Sequence, residues 1–127
     1  MKNFLIDTHI LLWFIADNPQ LSQAHATLIE NTSHNIFVSQ VSYWEIAIKA
    51  SLGKLSLAIP FEEFPEFITS HGMQELRLSF NHFEELLTLP FHHGDPFDRL
   101  LISQAKIEKY TLISADKAFK QYQVPLA

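Results

Sequence analysis

The stretch FLIDTHILLWFIA, residues 4–16, decides how this chain is to be read. It is apolar almost throughout, yet Asp7 and His9 stand in its middle. It is shorter than the ~20 residues a membrane-spanning helix needs, and no signal-peptide cleavage pattern follows it. The spacing instead predicts a buried strand over residues 2–6, then a helix over Thr8–Ala16 that ends at the breaker run "DNP", residues 17–19. Asp7 falls at the junction between the two.

Composition supports a packed interior. The chain has 127 residues, 47% hydrophobic, with eleven Phe, enough for one domain with a core of its own. There is no Cys, which removes disulfides and thiolate metal sites and fits a reducing, cytoplasmic setting with no membrane role. The formal net charge of −5 counts against nucleic-acid binding, since such proteins are usually basic. That objection weakens if several acids share one bound cation.

The rest of the chain alternates in the same way, with no repeats or low-complexity segments. A helix is expected from about residue 22 to 31, and a strand "IFVS" at residues 36–39. "SYWEIAIKASLG" should be helical from Ser42, with Gly53 past its end. "PFEEFPEFITSHG" from Pro60 resembles an amphipathic helix stopped by Gly72. An edge strand at residues 73–78, a helix at 79–87, a strong helix at 96–109, a strand "TLIS" at 111–114 and a short helix at 116–122 complete the series, with Val124 available for a last strand. Short apolar strands alternating with helices imply an α/β fold: a central parallel sheet of four to five short strands with helices on both faces, three layers in all. Right-handed crossovers put the strand-to-helix junctions on one edge, where open α/β sheets bind their ligands.

Four acids fall at that edge. Asp7 follows the first strand, Glu45 lies near the start of the helix after "IFVS", Asp98 lies in the first turn of the strong helix, and Asp116 follows "TLIS" closely. Each has a local explanation. Asp7 and Asp116 could cap helices, Glu45 could close a capping box with Ser42, and in "HGDPFDRLL" (residues 93–101) Asp95 makes a good N-cap before Pro96 with Asp98 at N3. Capping explains each singly and their convergence poorly. Carboxylates gathered in a half-buried cleft repel one another and lose hydration, and a hard divalent cation, Mg²⁺ or Mn²⁺, relieves both costs.

"FLIDTHILLW", "VSYWEIAIK", "DPFDRLLISQA" and "LISADKAF" together resemble the four acidic motifs of PIN-domain proteins, in order and over nearly the whole chain, most nearly bacterial toxins of the VapC type. The resemblance implies a single PIN domain over residues 1–127, a metal-dependent ribonuclease acting on RNA, a toxin with a cognate antitoxin partner, and a homodimer. Position by position it makes Asp7, Glu45, Asp98 and Asp116 the catalytic, metal-holding acids. Asp95 has no firm counterpart and is assigned to the N-cap, with a supporting role beside the metal as its second use.

In that scheme metal held by Asp7 and Asp98 polarises a phosphodiester oxygen, while Glu45 and Asp116 hold a second metal, orient water, or both. In-line attack then leaves a 3′-hydroxyl and a 5′-phosphate. Supporting candidates are Thr8 (an outer oxygen or a cap), Lys49 (the RNA backbone or solvent), Arg99 (phosphate or, more naturally, a salt bridge) and Ser114. The seven His include no H-x-x-x-H pair, which argues against a histidine zinc site. His92 and His93 read as exposed loop residues ahead of the cleft. Trp13 and Trp44 read as core. Phe61, Phe64 and Phe67 supply more aromatic surface than one buried stripe needs and suit an antitoxin groove. A non-catalytic module holding a structural Mg²⁺, or a DNA nuclease or phosphatase on the same acids, remains the competing reading.

Overall fold

Strands and helices alternate along the chain of this computed structural model, which describes residues 2–127. The strands are β1 (Asn3–Ile6), β2 (Asn35–Ser39), β3 (Gln74–Leu76) and β4 (Thr111–Ile113). They form one parallel sheet in the order β3-β2-β1-β4. Helices α1 (Thr8–Ala16), α2 (Gln23–Glu30), α3 (Gln40–Ser51), α4 (Phe64–Ser70), α5 (Phe80–Thr88) and α6 (Pro96–Glu108) connect them, with 3₁₀ turns at Phe61–Glu63 and Lys117–Gln121. The C-terminal tail adds a single parallel bridge, Leu112 to Leu126, at the place expected for a last strand, though two residues beyond Val124.

The pleat sorts the core into two layers. Phe4 and Ile6 of β1, Ile36 and Val38 of β2 and Ile113 of β4 face Ile10, Leu11, Ile29, Ile46, Phe64 and Ile68. Leu5 and Leu112 point the other way, against Leu100, Leu101, Ala105 and Phe119. Successive strand residues alternate faces, so both faces must be covered, and the three-layer arrangement follows. Parallel pairing in register, Ile6 beside both Val38 and Ile113, brings the carboxyl ends of β1, β2 and β4 level. From β1 the chain builds outward to β2 and β3, then returns to place β4 on the other flank. The reversal of strand order therefore lies at β1, which is where ligands of such sheets bind.

Several expectations are corrected. α3 starts at Gln40 with Ser39 as N-cap, so Ser42 and Glu45 form no capping box. The buried stripe of α3 is Val41, Ser42, Glu45 and Ile46, which turns Trp44 outward, 52% exposed, with its ring edge-on to Phe97 at 5.0 Å. Trp13 is partly buried against the core, as expected. The segment after Pro60 is a 3₁₀ turn followed by a separate short helix, because Pro65 at the first helical turn has no N–H to continue an earlier one. Its aromatics divide: Phe64 is buried in the core, whereas Phe61, against Tyr43, and Phe67, against Phe14, stay half-buried. The large apolar side chains left exposed lie elsewhere, at Phe80, Phe83 and Leu87 along one face of α5 and at Phe91 and Leu52.

A buried polar chain fastens α5 and α6 to the sheet. His82 is 1% exposed. Its Nδ1 accepts the Ser79 N–H at 3.1 Å, so Nε2 carries the proton and donates to Glu108 at 2.8 Å. Gln104 lies against the same Nδ1 and accepts from the Ser39 hydroxyl. Replacing His82 by Leu leaves the Ser79 amide and Glu108 unpaired, and should lower unfolding stability by about 1–3 kcal/mol. Urea unfolding of His82→Leu checks this, with an unchanged midpoint as the contrary result.

Candidate functional site

Asp7 leaves β1 and caps α1. Its Oδ1 accepts the Ile10 N–H at 2.8 Å, and its Oδ2 accepts the Ser114 hydroxyl at 2.5 Å. Its own N–H donates to Ile113 at 3.1 Å. The cap predicted from sequence is thus real, and it coexists with a place in the cleft. Burial pushes the carboxyl above its ordinary value, against the lowering effect of those two hydrogen bonds.

Glu45 is 2% exposed, one and a half turns into α3. Its Oε2 accepts from Lys49 Nζ at 2.5 Å, one turn along the same helix. Its Oε1 is buried without a hydrogen-bond partner. The Glu45 carboxylate holds the Lys49 ammonium above its usual value, and Asp95 and Asp98 add to the effect.

Asp95 makes the cap that its spacing suggests. Asp95 Oδ1 accepts the Phe97 and Asp98 N–H groups at 2.9 and 3.0 Å and caps α6. Asp98 faces the cleft. Burial, and then the negative charges of Asp95, Glu45, Asp7 and Asp116, push its carboxyl up to about 7. The other three acids singled out in the sequence, with Asp95, therefore all act on this one carboxyl. Asp116 is exposed, caps the last 3₁₀ turn through the Ala118 N–H, and lines a cavity of about 200 Å³ with Asp7, His9, Trp13 and Ala115.

The supporting candidates separate. Ser114 touches both flanking acids, donating to Asp7 and accepting the Asp116 N–H at 3.0 Å. Thr8 is buried and donates to Ser42 at 3.0 Å, tying α1 to α3 rather than reaching into the cleft. Arg99 makes no salt bridge among the described residues. It is buried, gives its guanidinium to the carbonyls of Pro90 and Leu89 at 2.8 and 3.2 Å, and lies 3.7 Å from the Phe91 ring centre. It holds the loop ahead of Asp95 and is not free for phosphate.

The sequence missed one pairing. His93, read there as loop, stands 3.7 Å from Asp98 Oδ2 through its Nε2, and its Nδ1 is 3.1 Å from the Tyr122 hydroxyl. Tyr122 lies 29 residues downstream in the C-terminal tail, and no periodicity or motif announces the contact.

The cleft fits a hard divalent cation. Every donor is a carboxylate oxygen, Glu45 Oε1 is an orphaned buried acceptor, and Asp98 is raised by burial and then by the negative charges around it. Among the described residues no three His, Asp or Glu side chains already converge as a finished coordination cage, and Lys49 occupies one Glu45 oxygen. The acids share a field that a cation would draw together.

The PIN domain model matches residues 4–125. Ribonuclease VapC22 of Mycobacterium tuberculosis is 26% identical over 126 residues, covering 98% of this chain and 95% of that protein. Among solved structures, VapBC2 from Rickettsia felis bound to a DNA fragment from their promoter superposes with a TM-score of 0.73 at 17% identity, covering 98% of this chain and 97% of that one. A toxin-antitoxin complex from Klebsiella pneumoniae gives 0.62 at 17% identity, with 91% and 88% covered. At these identities the structures establish likeness of fold.

The raised Asp98 sets a pH dependence. The folded chain keeps a proton on this group between about 4 and about 7 that the unfolded chain releases, so stability falls as pH rises through that window. Asp98→Asn should therefore raise the Tm of the cation-free protein at pH 8, by roughly 3–6 °C for ~1 kcal/mol of relieved repulsion, and leave it unchanged below pH 4. Calorimetric scans at the two pH values test this; a loss of Tm at pH 8 would contradict it.

Proposed function

This chain belongs to the PIN domain family, and from that premise we propose that it is a single-domain, metal-dependent endoribonuclease, the toxin of a toxin–antitoxin pair. The observation that carries the reading is the buried, unpartnered Glu45 Oε1, together with an Asp98 carboxyl raised by burial and then by Asp95, Glu45, Asp7 and Asp116. Likeness to a protein named as a ribonuclease supports RNA as the substrate. Likeness in fold to a toxin–antitoxin complex supports an antitoxin partner. The exposed Phe80, Phe83 and Leu87 face of α5 offers apolar surface for a homodimer.

Asp7, Asp98, Glu45 and Asp116 would hold Mg²⁺ or Mn²⁺. When bound, the cation supplies a Lewis acid for a phosphodiester oxygen and lowers the pKa of water. Asp7 contributes a carboxylate already immobilised by Ile10 and Ser114, so little ordering remains to be done there. Glu45 contributes its unpartnered Oε1. Lys49, once released from Glu45, is placed to meet the phosphate backbone. Asp116, exposed at the rim, orients water on the side of Asp7. Attack by water in line with the leaving 3′-oxygen leaves a 5′-phosphate, and no side-chain nucleophile is required.

Cleavage of RNA by the purified chain should need Mg²⁺ or Mn²⁺ and stop with a chelator. Asp7→Asn and Asp98→Asn should each lower the rate by more than the roughly 10–100-fold typical of outer-shell partners. Asp95→Asn should leave the rate near its starting value, because Asn caps a helix about as well as Asp. Parallel assays on single-stranded DNA and on a phosphate monoester report the competing activities. A chain that cleaves only those substrates, or loses activity with Asp95→Asn but keeps it with Asp98→Asn, overturns the assignment. Lys49→Met should tighten Mn²⁺ binding measured by calorimetry, since it frees the second Glu45 oxygen, while slowing cleavage. Weaker Mn²⁺ binding would mean that Lys49 helps to build the cation site.

A further inference from the structure

His93 and Tyr122 form the polar contact beside the acids that capping, packing and the nuclease reading leave without a use. The Tyr122 hydroxyl receives three N–H groups, from the His92 and His93 backbone and from Arg99 Nη1, each at 3.3 Å. A phenol oxygen has two lone pairs and one proton. The three long contacts share those two lone pairs, so the hydroxyl proton is left to point toward His93 Nδ1 at 3.1 Å. That ring nitrogen must accept. The imidazole proton therefore lies on Nε2.

The placement of that proton matters because Nε2 is buried and has no hydrogen-bond partner. A buried donor left unpaired is costly, so its surroundings must supply a reason for it. The acidic oxygen it faces is Asp98 Oδ2, at 3.7 Å, just beyond hydrogen-bond length. The backbone around it is fixed from both sides. Asp95 caps α6 two residues later, and Arg99 clamps the carbonyls of Leu89 and Pro90 ahead of it. The ring also packs against Phe119 and Tyr122.

We infer that His93 is a positioning residue for Asp98: braced by Tyr122 through Nδ1, it presents its Nε2–H to one oxygen of the Asp98 carboxylate and orients that carboxylate toward the cation. The inference rests on the reading of Asp98 as a metal-holding acid. It extends to a carboxylate the general rule that outer hydrogen bonds fix the orientation of metal ligands. It also gives the C-terminal tail a part in the site, since Tyr122 comes from beyond β4.

Mn²⁺ titration calorimetry on the full chain tests it, with three substitutions and one spectrum. His93→Ala should weaken Mn²⁺ binding by roughly 10–100-fold, in keeping with the loss of an outer-shell partner. His93→Gln, whose amide nitrogen reaches the place of Nε2, should recover part of that affinity. Tyr122→Phe, which frees the ring from its brace, should fall between the two. Nitrogen-15 NMR of the His93 imidazole should show the proton on Nε2 in the unsubstituted chain. A merely structural His93 would lower Tm and leave the Mn²⁺ affinity of the folded fraction unchanged, and that result overturns the inference, as does a proton found on Nδ1. If His93→Ala fails to fold, His93→Gln and Tyr122→Phe decide by the same criterion. An unsubstituted chain that binds no Mn²⁺ removes the metal reading itself, whereas normal Mn²⁺ binding untouched by all three substitutions removes only the role of His93.

Discussion

The carboxylate of Asp7 is held where three pieces of the fold meet. One oxygen takes the Ile10 N–H in the first turn of α1, the other takes a hydroxyl from the segment after β4, and the residue's own N–H completes the ladder to β4. An acid this deeply buried is stable only if its lone pairs are engaged. The engagement joins the strand, the helix and the neighbouring strand at the point where strand order reverses. The other acids take their places relative to that fixed point: Glu45 from the helix after β2, Asp98 from the start of α6, Asp116 from the turn after β4.

The same junction carries the main electrostatic tension in the molecule. Burial and four like-charged neighbours act against ionisation of Asp98, and the chain offers partial relief through Lys49, which is bonded to Glu45 and feels Asp95 and Asp98 as well. A fold selected for stability alone would replace such a cluster with apolar groups at little loss. The scaffold around it is correspondingly well tied. Thr8 links α1 to α3, Ser39 and Gln104 link the end of β2 to α6, and Arg99 fills the loop leading to α6 with hydrogen bonds to carbonyls.

Family membership and chemistry stand on different observations. The match over residues 4–125 places the chain in the PIN domain family. Superposition on complexes at 17% identity speaks to fold. The chemistry comes from this chain's own groups: an orphaned glutamate oxygen, a raised aspartate and a lysine already paired to an acid. Among the described residues no helix is long and apolar enough to cross a membrane. The apolar surface left over is concentrated on α5, where Phe80, Phe83 and Leu87 recur at helical spacing.

Local pattern was enough to read the alternation of strands and helices, the parallel sheet and the Asp95 cap, because capping and periodicity are decided within a turn or two of chain. It also placed the four acids on one edge, since parallel pairing and right-handed crossovers leave little freedom there. What it could not read depends on which face an element turns to its neighbours. Burying Glu45 on α3 drove Trp44 outward, and of the three Phe at helical spacing only Phe64 went into the core while Phe61 and Phe67 stayed half-buried against it. Arg99 found carbonyls instead of an acid, and His93 found Tyr122 across 29 residues. Such contacts join segments distant in sequence, and each partner satisfies ordinary local rules by itself. Only the packed chain decides which polar groups are left facing one another out of water, and so which of them must pair.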